Sequence, residues 1–317
     1  MATKGFLHEL HDFKDLIGAV SREKSIVPQL VEKDYWIMHS LYGLQQQGFD
    51  FELKGGTSLS KGYRIIERFS EDIDIRIEPP SEMDVKCKKS QTKPFHVESR
   101  ARFFDYLAGE IAIHGIDEVK RDNGFDNATL LSAGIRLYYP EAFPRVEGGL
   151  KNGILLELGF DDTAPNEAID ISSWVVDKAS AMGIDFIDNR AMAVKCYHPA
   201  YTFVEKLQAV STKFRQQQES GGFPVNFLRH YYDIYCLLAV PKVQEFIGTE
   251  TYAARKNQRF GRADVQEIAK NEAFVLGDPA VREQYAAQYE GTRGLYYAGM
   301  VSFDAILGRI RENIDRL

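Results

Sequence analysis

Cysteine is scarce in this chain: Cys87, Cys196 and Cys236 are the only three in 317 residues. Their number is odd and their spacing matches no metal-binding pattern, so neither a disulfide framework nor a cysteine metal site is expected. A reducing cytoplasm is the expected setting. No apolar run approaches about 18 residues, which argues against a transmembrane helix and a membrane partner. The opening, MATKGFLHELHDF, is amphipathic and has none of the apolar h-region of a signal peptide. Positive charge is not in excess. The formal net charge is −7, which disfavours strong non-specific binding to nucleic acid but leaves a local basic patch open. There is no internal repeat and no linker-like stretch. What remains is an ordinary globular composition, 44% hydrophobic and 27% charged, in a chain long enough for two domains or one large one.

Hydrophobic period gives a coarse plan. Residues 100–114 read as a helix. Residues 132–139, 153–160 and 191–196 read as strands, with PEAFPRVEGG (140–149) as the turn between the first two. Pro79 to Ser99 carries Lys86, Lys88, Lys89 and Lys93 and few large apolar residues, so a mobile insertion is expected there. From about Tyr201 the helical period takes over, with a loop at Gln216 to Pro224. The expected division is a catalytic α/β (α+β) domain over 1–198 and a mostly helical domain over 199–317.

The most informative stretch is KGGTSLSKGYRIIERFSEDIDI, Lys54 to Ile75. Gly55 and Gly56 precede two hydroxyl residues, Thr57 and Ser58. Asp72 and Asp74 follow in a run that alternates polar and apolar, as a half-buried strand does. Alternation puts both carboxylates on one face, roughly 6–7 Å apart along the strand. Carboxylates so placed can hold a magnesium–triphosphate, and a glycine turn lets the backbone approach its phosphates. Either fragment alone is ordinary: D-x-D is common on a solvated strand, and G-G-T-S is a turn with a helix cap. The combination and the order are what point to nucleotide chemistry.

Two-metal phosphoryl transfer needs carboxylates around ions about 3.5–4 Å apart, so a third acid from a neighbouring strand is expected. Glu157 in ILLELGF is the candidate, because an unpaired charge in so apolar a run is unfavourable. The alternative is a structural pair between Glu157 and Arg136. At about 100° per residue, Val204, Leu207, Val210 and Phe214 share an apolar arc with Lys206 at its edge. Phe227, Tyr231, Ile234 and Leu238 share another, with Asp233 at its edge. A lysine so placed can neutralise a leaving pyrophosphate and an aspartate can aim it. An ordinary interhelix salt bridge explains the same pattern.

The motif resembles the first motif of the polymerase-beta-like nucleotidyltransferases, a G-G or G-S turn before a D-x-D strand. Its fuller form, KGGTSLSK with Arg64 and then RFSEDID, is similar to the AbiEii/AbiGii nucleotidyltransferase toxins of type IV toxin–antitoxin systems. EKDYW (Glu32 to Trp36), ILLELGF, TFVEKLQAV (Thr202 to Val210) and RHYYDIYCLL (Arg229 to Leu238) extend the resemblance over most of the chain. Tyr296, Tyr297, Phe303 and Ile306 extend it more weakly.

The resemblance implies a polymerase-beta-like domain with a mixed sheet, followed by a mostly helical domain. It implies an enzyme moving a nucleoside monophosphate from an NTP to a hydroxyl, with two Mg2+ ions (or Mn2+) on Asp72, Asp74 and Glu157. Asp72, Asp74, Lys206 and Asp233 would be catalytic, and Thr202, Glu205 and Arg229 fit the same helical motifs. Gly55, Gly56, Thr57, Ser58, Lys61, Arg68 and Ser70 would face the nucleotide. Ser70 would share the metal side of the strand and is a phosphorylation site in some family members. The acceptor would be RNA, a tRNA 3′ end, and the partner a cognate antitoxin. Arg255, Lys256, Arg259 and Arg262 form a candidate RNA-docking face. Two other classes stay open: transfer of AMP to a protein hydroxyl, and a non-catalytic nucleotide-binding protein. Retention of both aspartates and the lysine argues against the second. Glu32, Lys33 and Asp34 match a family motif with no role that the sequence supplies beyond helix capping or packing.

Overall fold

A computed structural model of the protein describes residues 4–144, 151–224 and 226–317. Residues 145–149 of the expected turn therefore lie outside the described residues. The chain divides into two compact units. The first comprises residues 1–62 and 69–197; the second comprises residues 63–68 and 198–317. Residues 63–68, the first six of the nine between the glycine turn and the D-x-D strand, thus pack with the C-terminal helices.

The first unit opens with helices α1 (Phe13–Lys24) and α2 (Pro28–Gln46). Pro28 sits in the first turn of α2, where its fixed φ and missing N–H do no harm. Strand β1 (Phe51–Lys54) leads into the short helix α3 (Gly55–Thr57), which widens into a π turn over Ser58–Gly62. Then come β2 (Asp72–Ile77), α4 (Pro94–Glu110), β3 (Glu118–Asp122), β4 (Ser132–Tyr138), β5 (Ile154–Gly159), β6 (Asn166–Ile171), α5 (Trp174–Ala181) and β7 (Ala191–Tyr197). All seven strands join one mixed sheet, in the order β3-β4-β5-β2-β1-β7-β6. The β2–β5 and β1–β7 pairs are parallel and the others antiparallel. Strand β5 is central and apolar nearly throughout, as a strand covered on both faces should be.

The expected insertion at 79–99 is anchored, not loose. Arg100 on α4 is fully buried and its guanidinium donates to the carbonyls of Thr129 (2.8 Å), Lys86 (2.5 Å) and Gln91 (3.1 Å). A buried guanidinium must find such acceptors, and the insertion's backbone supplies two of them. Helix α4 also begins six residues before the expected Arg100, because Pro94 starts it.

The second unit is helical: α6 (Pro199–Ser220), α7 (Arg229–Leu237), α8 (Pro241–Phe246), α9 (Glu250–Arg259), α10 (Glu272–Val275), α11 (Pro279–Glu290) and α12 (Phe303–Asn313). Helix α6 runs past Gln216, where a loop was expected. It stops where Gly221 adopts φ +73°, a conformation glycine takes without steric penalty. Val204, Leu207, Val210, Tyr231, Ile234, Phe303 and Ile306 are core residues of this unit.

Candidate active site

Strand β2 reads DIDIRI and folds as its alternation dictates. Ile73, Ile75 and Ile77 are buried, while Asp72, Asp74 and Arg76 are half-buried on the other face. Register adds the neighbours: Asp74 stands opposite Lys54 on β1 and opposite Glu157 on β5. Paired residues on adjacent strands project to the same face, so Asp72, Asp74, Glu157 and Lys54 share one side of the sheet. The structural alternative for Glu157 does not hold. Arg136 stands opposite Leu155, two residues before Glu157, and its guanidinium pairs with Asp122 at 2.6 Å and donates to the carbonyl of Asn152. Glu157 instead lines a cavity of about 320 Å³ with Lys54, Lys89, Asn127, Ser132 and Asp161.

Asp72 is unevenly satisfied. Its Oδ2 accepts from Lys151 Nζ at 2.8 Å, while its Oδ1 is buried without a hydrogen-bond partner among the described residues. An orphaned carboxylate oxygen, an all-oxygen donor set and an ammonium already seated at one aspartate fit a hard divalent cation. Among the described residues, no three or more His, Cys, Asp or Glu groups close into a ready metal cage.

The glycine turn is shaped around Asp74. Gly55 has φ +69°, and a Cβ there would lie 1.9 Å from Asp74 Oδ2. Only glycine lets this backbone pass so close to the carboxylate. The two hydroxyl residues do not face outward. Thr57 is fully buried and donates to the Asp72 carbonyl at 2.5 Å, so it positions β2. Ser58 is also fully buried, against the Cys196 thiol. Both side chains are therefore committed inward and are not available to a phosphate. Lys61 is likewise held, at 2.5 Å from Asp34 and over the Trp174 ring. Ser70 precedes β2, which starts at Asp72, so strand alternation does not fix the direction of its side chain.

Glu32, Lys33 and Asp34 gain a role that local sequence could not supply. Every residue of α2 from Leu30 to Leu41 is buried, so each charge must find a partner. Glu32 accepts from the backbone of Ala142 and Phe143. Lys33 donates to Glu71 at 3.2 Å and to the Lys151 carbonyl at 2.8 Å. Asp34 takes Lys61 and the N–H of Trp174. Three consecutive residues thus tie down the loop at 142–143, the approach to β2, and the glycine turn with the start of α5. Glu71 and Lys151 are the residues sequence reasoning missed. Glu71 adjoins D-x-D and could have been suspected as an extra acid; Lys151 carries no local signal.

Within the helical unit, Asp233 is fully buried, not at the edge of its helix. It accepts two hydrogen bonds from Arg68, each at 2.7 Å, and one ion pair from Lys206 at 2.8 Å. Burial alone would raise its carboxyl, but Arg68 and Lys206 outweigh that and hold it well below the usual carboxylate range. His230 lies 3.3 Å from Lys206 and is kept neutral by burial and by that lysine's charge. Arg68 is therefore engaged with Asp233, which removes the basis for assigning it to phosphate. Thr202 bonds back to the His198 carbonyl, and Arg229 is buried. Glu205 pairs with Arg255 at 3.0 Å and Arg259 at 3.7 Å, and Lys256 donates to the Leu317 carbonyl. Of the expected basic face, only Arg262 is fully exposed; long basic side chains near a C-terminal carbonyl and a carboxylate fold onto them.

No curated protein matches it. One solved structure, an antigenic nucleotidyltransferase-like protein from Paracoccidioides brasiliensis, aligns over 80% of this chain and 92% of that one, with 13% identity and a TM-score of 0.36. The sequence profile described as nucleotidyl transferase AbiEii toxin, type IV TA system, matches residues 39–309. That span includes the glycine turn, the D-x-D strand, β5 and the helices carrying Lys206 and Asp233, and it places the chain in the AbiEii family of nucleotidyltransferase toxins.

Proposed function

We propose that this nucleotidyltransferase moves a nucleoside monophosphate from an NTP to an RNA hydroxyl, a tRNA 3′ end, with Mg2+ or Mn2+ held by Asp72, Asp74 and Glu157. When bound, the divalent ions neutralise the charge that develops on the transferred phosphoryl group and the departing pyrophosphate. The observation that carries this reading is the register that sets Asp74 between Lys54 and Glu157, with Asp72 on the same strand face. Gly55 admits the backbone beside Asp74, which keeps the glycine turn next to the carboxylates. Thr57 holds β2 against that turn, so the carboxylates and the turn keep a fixed spacing. For Lys206 we keep the role implied by the resemblance, charge stabilisation of pyrophosphate with Asp233 as its positioning residue. Family membership supports a physiological role as a toxin restrained by a cognate antitoxin.

A second reading is favoured by one observation: Arg255, Lys256 and Arg259 are folded onto internal acceptors, and the net charge is −7. A chain with so little available basic surface in that region suits a protein acceptor, with AMP placed on a hydroxyl side chain. Each labelled NTP is incubated with the protein, Mg2+ and either total RNA or bulk protein. Label in RNA with matching pyrophosphate release is the expected result. Label in protein alone selects the second reading, and no pyrophosphate from any NTP overturns both.

A further inference from the structure

Lys151 sits at the candidate metal face but is no part of any motif that led to it. Its ammonium is 2.8 Å from Asp72 Oδ2. Its peptide groups are fixed from both sides: the N–H donates to Glu71 Oε2 at 2.9 Å, and the carbonyl accepts from Lys33 Nζ at 2.8 Å. Lys33 and Glu71 are themselves paired and buried. The backbone of residue 151 is thus clamped while its side chain keeps 30% of its accessibility. The ammonium also lies 5.4 Å from the Phe125 ring centroid, a second place to rest.

We propose that Lys151 is a built-in counter-ion for Asp72, which a divalent cation must displace, so that this lysine sets how tightly the metal binds. The inference rests on the metal reading of Asp72. A divalent ion at the unpartnered Oδ1 would sit beside an ammonium on Oδ2 of the same carboxylate, and two cations that close repel strongly. The pair is partly solvated, so it is weak enough to be exchanged, and the departing ammonium can return to water. While the site awaits its ion, Lys151 offsets the repulsion among Asp72, Asp74 and Glu157 and keeps Asp72 in its binding orientation. The buried Lys33–Glu71 pair fixes the backbone from which the ammonium reaches Asp72.

The test is binding of Mn2+ to the full chain without nucleotide, read from the free-ion electron paramagnetic resonance signal. Lys151→Met removes the ammonium but keeps both peptide hydrogen bonds. It is expected to tighten Mn2+ binding about threefold to tenfold. Lys151→Arg keeps the charge and should stay near wild type. Lys195→Met makes the same net-charge change at an exposed pair with Asp50 and should also stay near wild type. Asp72→Asn should abolish the tight Mn2+ site. Tightening by Lys195→Met equal to that by Lys151→Met would reduce the effect to net charge and overturn the proposal. Unchanged or weaker binding by Lys151→Met, with the Asp72→Asn loss intact, would overturn the counter-ion role and leave the metal reading standing. Wild-type Mn2+ affinity in Asp72→Asn would overturn both. Thermal melts of each variant establish that it is folded.

Discussion

Asp72 and Asp233 are both aspartates with a lysine ammonium at 2.8 Å, yet the two pairs have opposite physical meaning. Asp72 is partly exposed, has one oxygen without a partner among the described residues, and meets a lysine with water within reach. Asp233 has no exposure, and Arg68 grips both of its oxygens before Lys206 adds a third contact. Distance alone does not separate them; solvation and remaining bonding capacity do. A solvated, half-satisfied carboxylate can trade its counter-ion for a metal. A buried, fully engaged one cannot, and it acts instead as the anchor for the cations around it.

The sharpest way to break this contrast is to neutralise each aspartate. Asp72→Asn or Asp74→Asn should lower transfer by about 10³-fold or more, as loss of a main electrostatic group does. The folded state of Asp72→Asn should barely change, because the Asp72–Lys151 pair is of the kind worth about 0–1 kcal/mol. Pyrophosphate release and thermal melts decide it; near wild-type transfer in magnesium by either variant would refute the metal face.

Asp233→Asn should do the reverse. It leaves Arg68 and Lys206 without their buried counter-charge, which typically destabilises by about 3–5 kcal/mol. Beyond aiming Lys206, Asp233 is a structural anchor, because Arg68 holds both of its oxygens. Urea unfolding measures the loss, and a change below about 1 kcal/mol would mean the cluster is not held as tightly as its geometry implies.

Lys206→Ala separates the two roles within that cluster. Asp233 keeps Arg68, so the stability loss should be well below that of Asp233→Asn. If Lys206 meets the pyrophosphate, turnover should still fall by about 10²-fold. The double variant should be non-additive in unfolding free energy, since both residues belong to one network. Strictly additive losses, or full turnover with a lowered melting temperature, would make Lys206 purely structural.

The smallest expected effect concerns a third cluster, in the first unit. His8 and His39 pack with Tyr35, Trp36 and His114, and burial followed by neighbouring histidines pushes His8 down to about 3; burial pushes His39 down to about 4. His39 is bonded to Asn189 and to the His114 carbonyl, and His8 to Tyr35. Glu9 is the nearby acid, paired with His114. Between those values and the ordinary 6.5 the unfolded chain binds more protons than the folded one. Their contribution is therefore complete above about pH 6.5 and declines as pH falls toward 4. Unfolding free energy measured across pH 4–7 should drop on the acid side, and His39→Gln should flatten part of that slope.

The legible parts of this protein were those set by local chemistry. DIDIRI reads as a strand with two carboxylates on one face, and the glycine pair before it reads as a turn, though its close approach to Asp74 is visible only in the structure. ILLELG had to be a covered strand. The assignments that changed concern residues whose partners are far away in sequence. Thr57 and Ser58 read as hydroxyls beside a phosphate turn, but pairing of β2 and β7 with β1 brings Asp72 and Cys196 against them. Arg68 reads as a cation next to the motif, but residues 63–68 pack with the helical unit and its guanidinium meets a carboxylate 165 positions away. The basic run at 255–262 reads as a docking face, but Glu205 and the Leu317 carbonyl draw it inward.

Sequence by itself determined the mixed α/β character of the first unit, the helical character of the second, the family, and the strand that carries Asp72 and Asp74 on one face. Period, glycine placement and a run of motifs suffice for these because each is enforced within a few residues. Only the tertiary structure decided which charges are committed and which are exchangeable. It buried Glu32, Lys33 and Asp34 on one helix and found each a different loop to hold. It brought Lys151 to Asp72 and Arg68 to Asp233. A charge in sequence has a sign but no partner and no dielectric, and only packing supplies those two quantities.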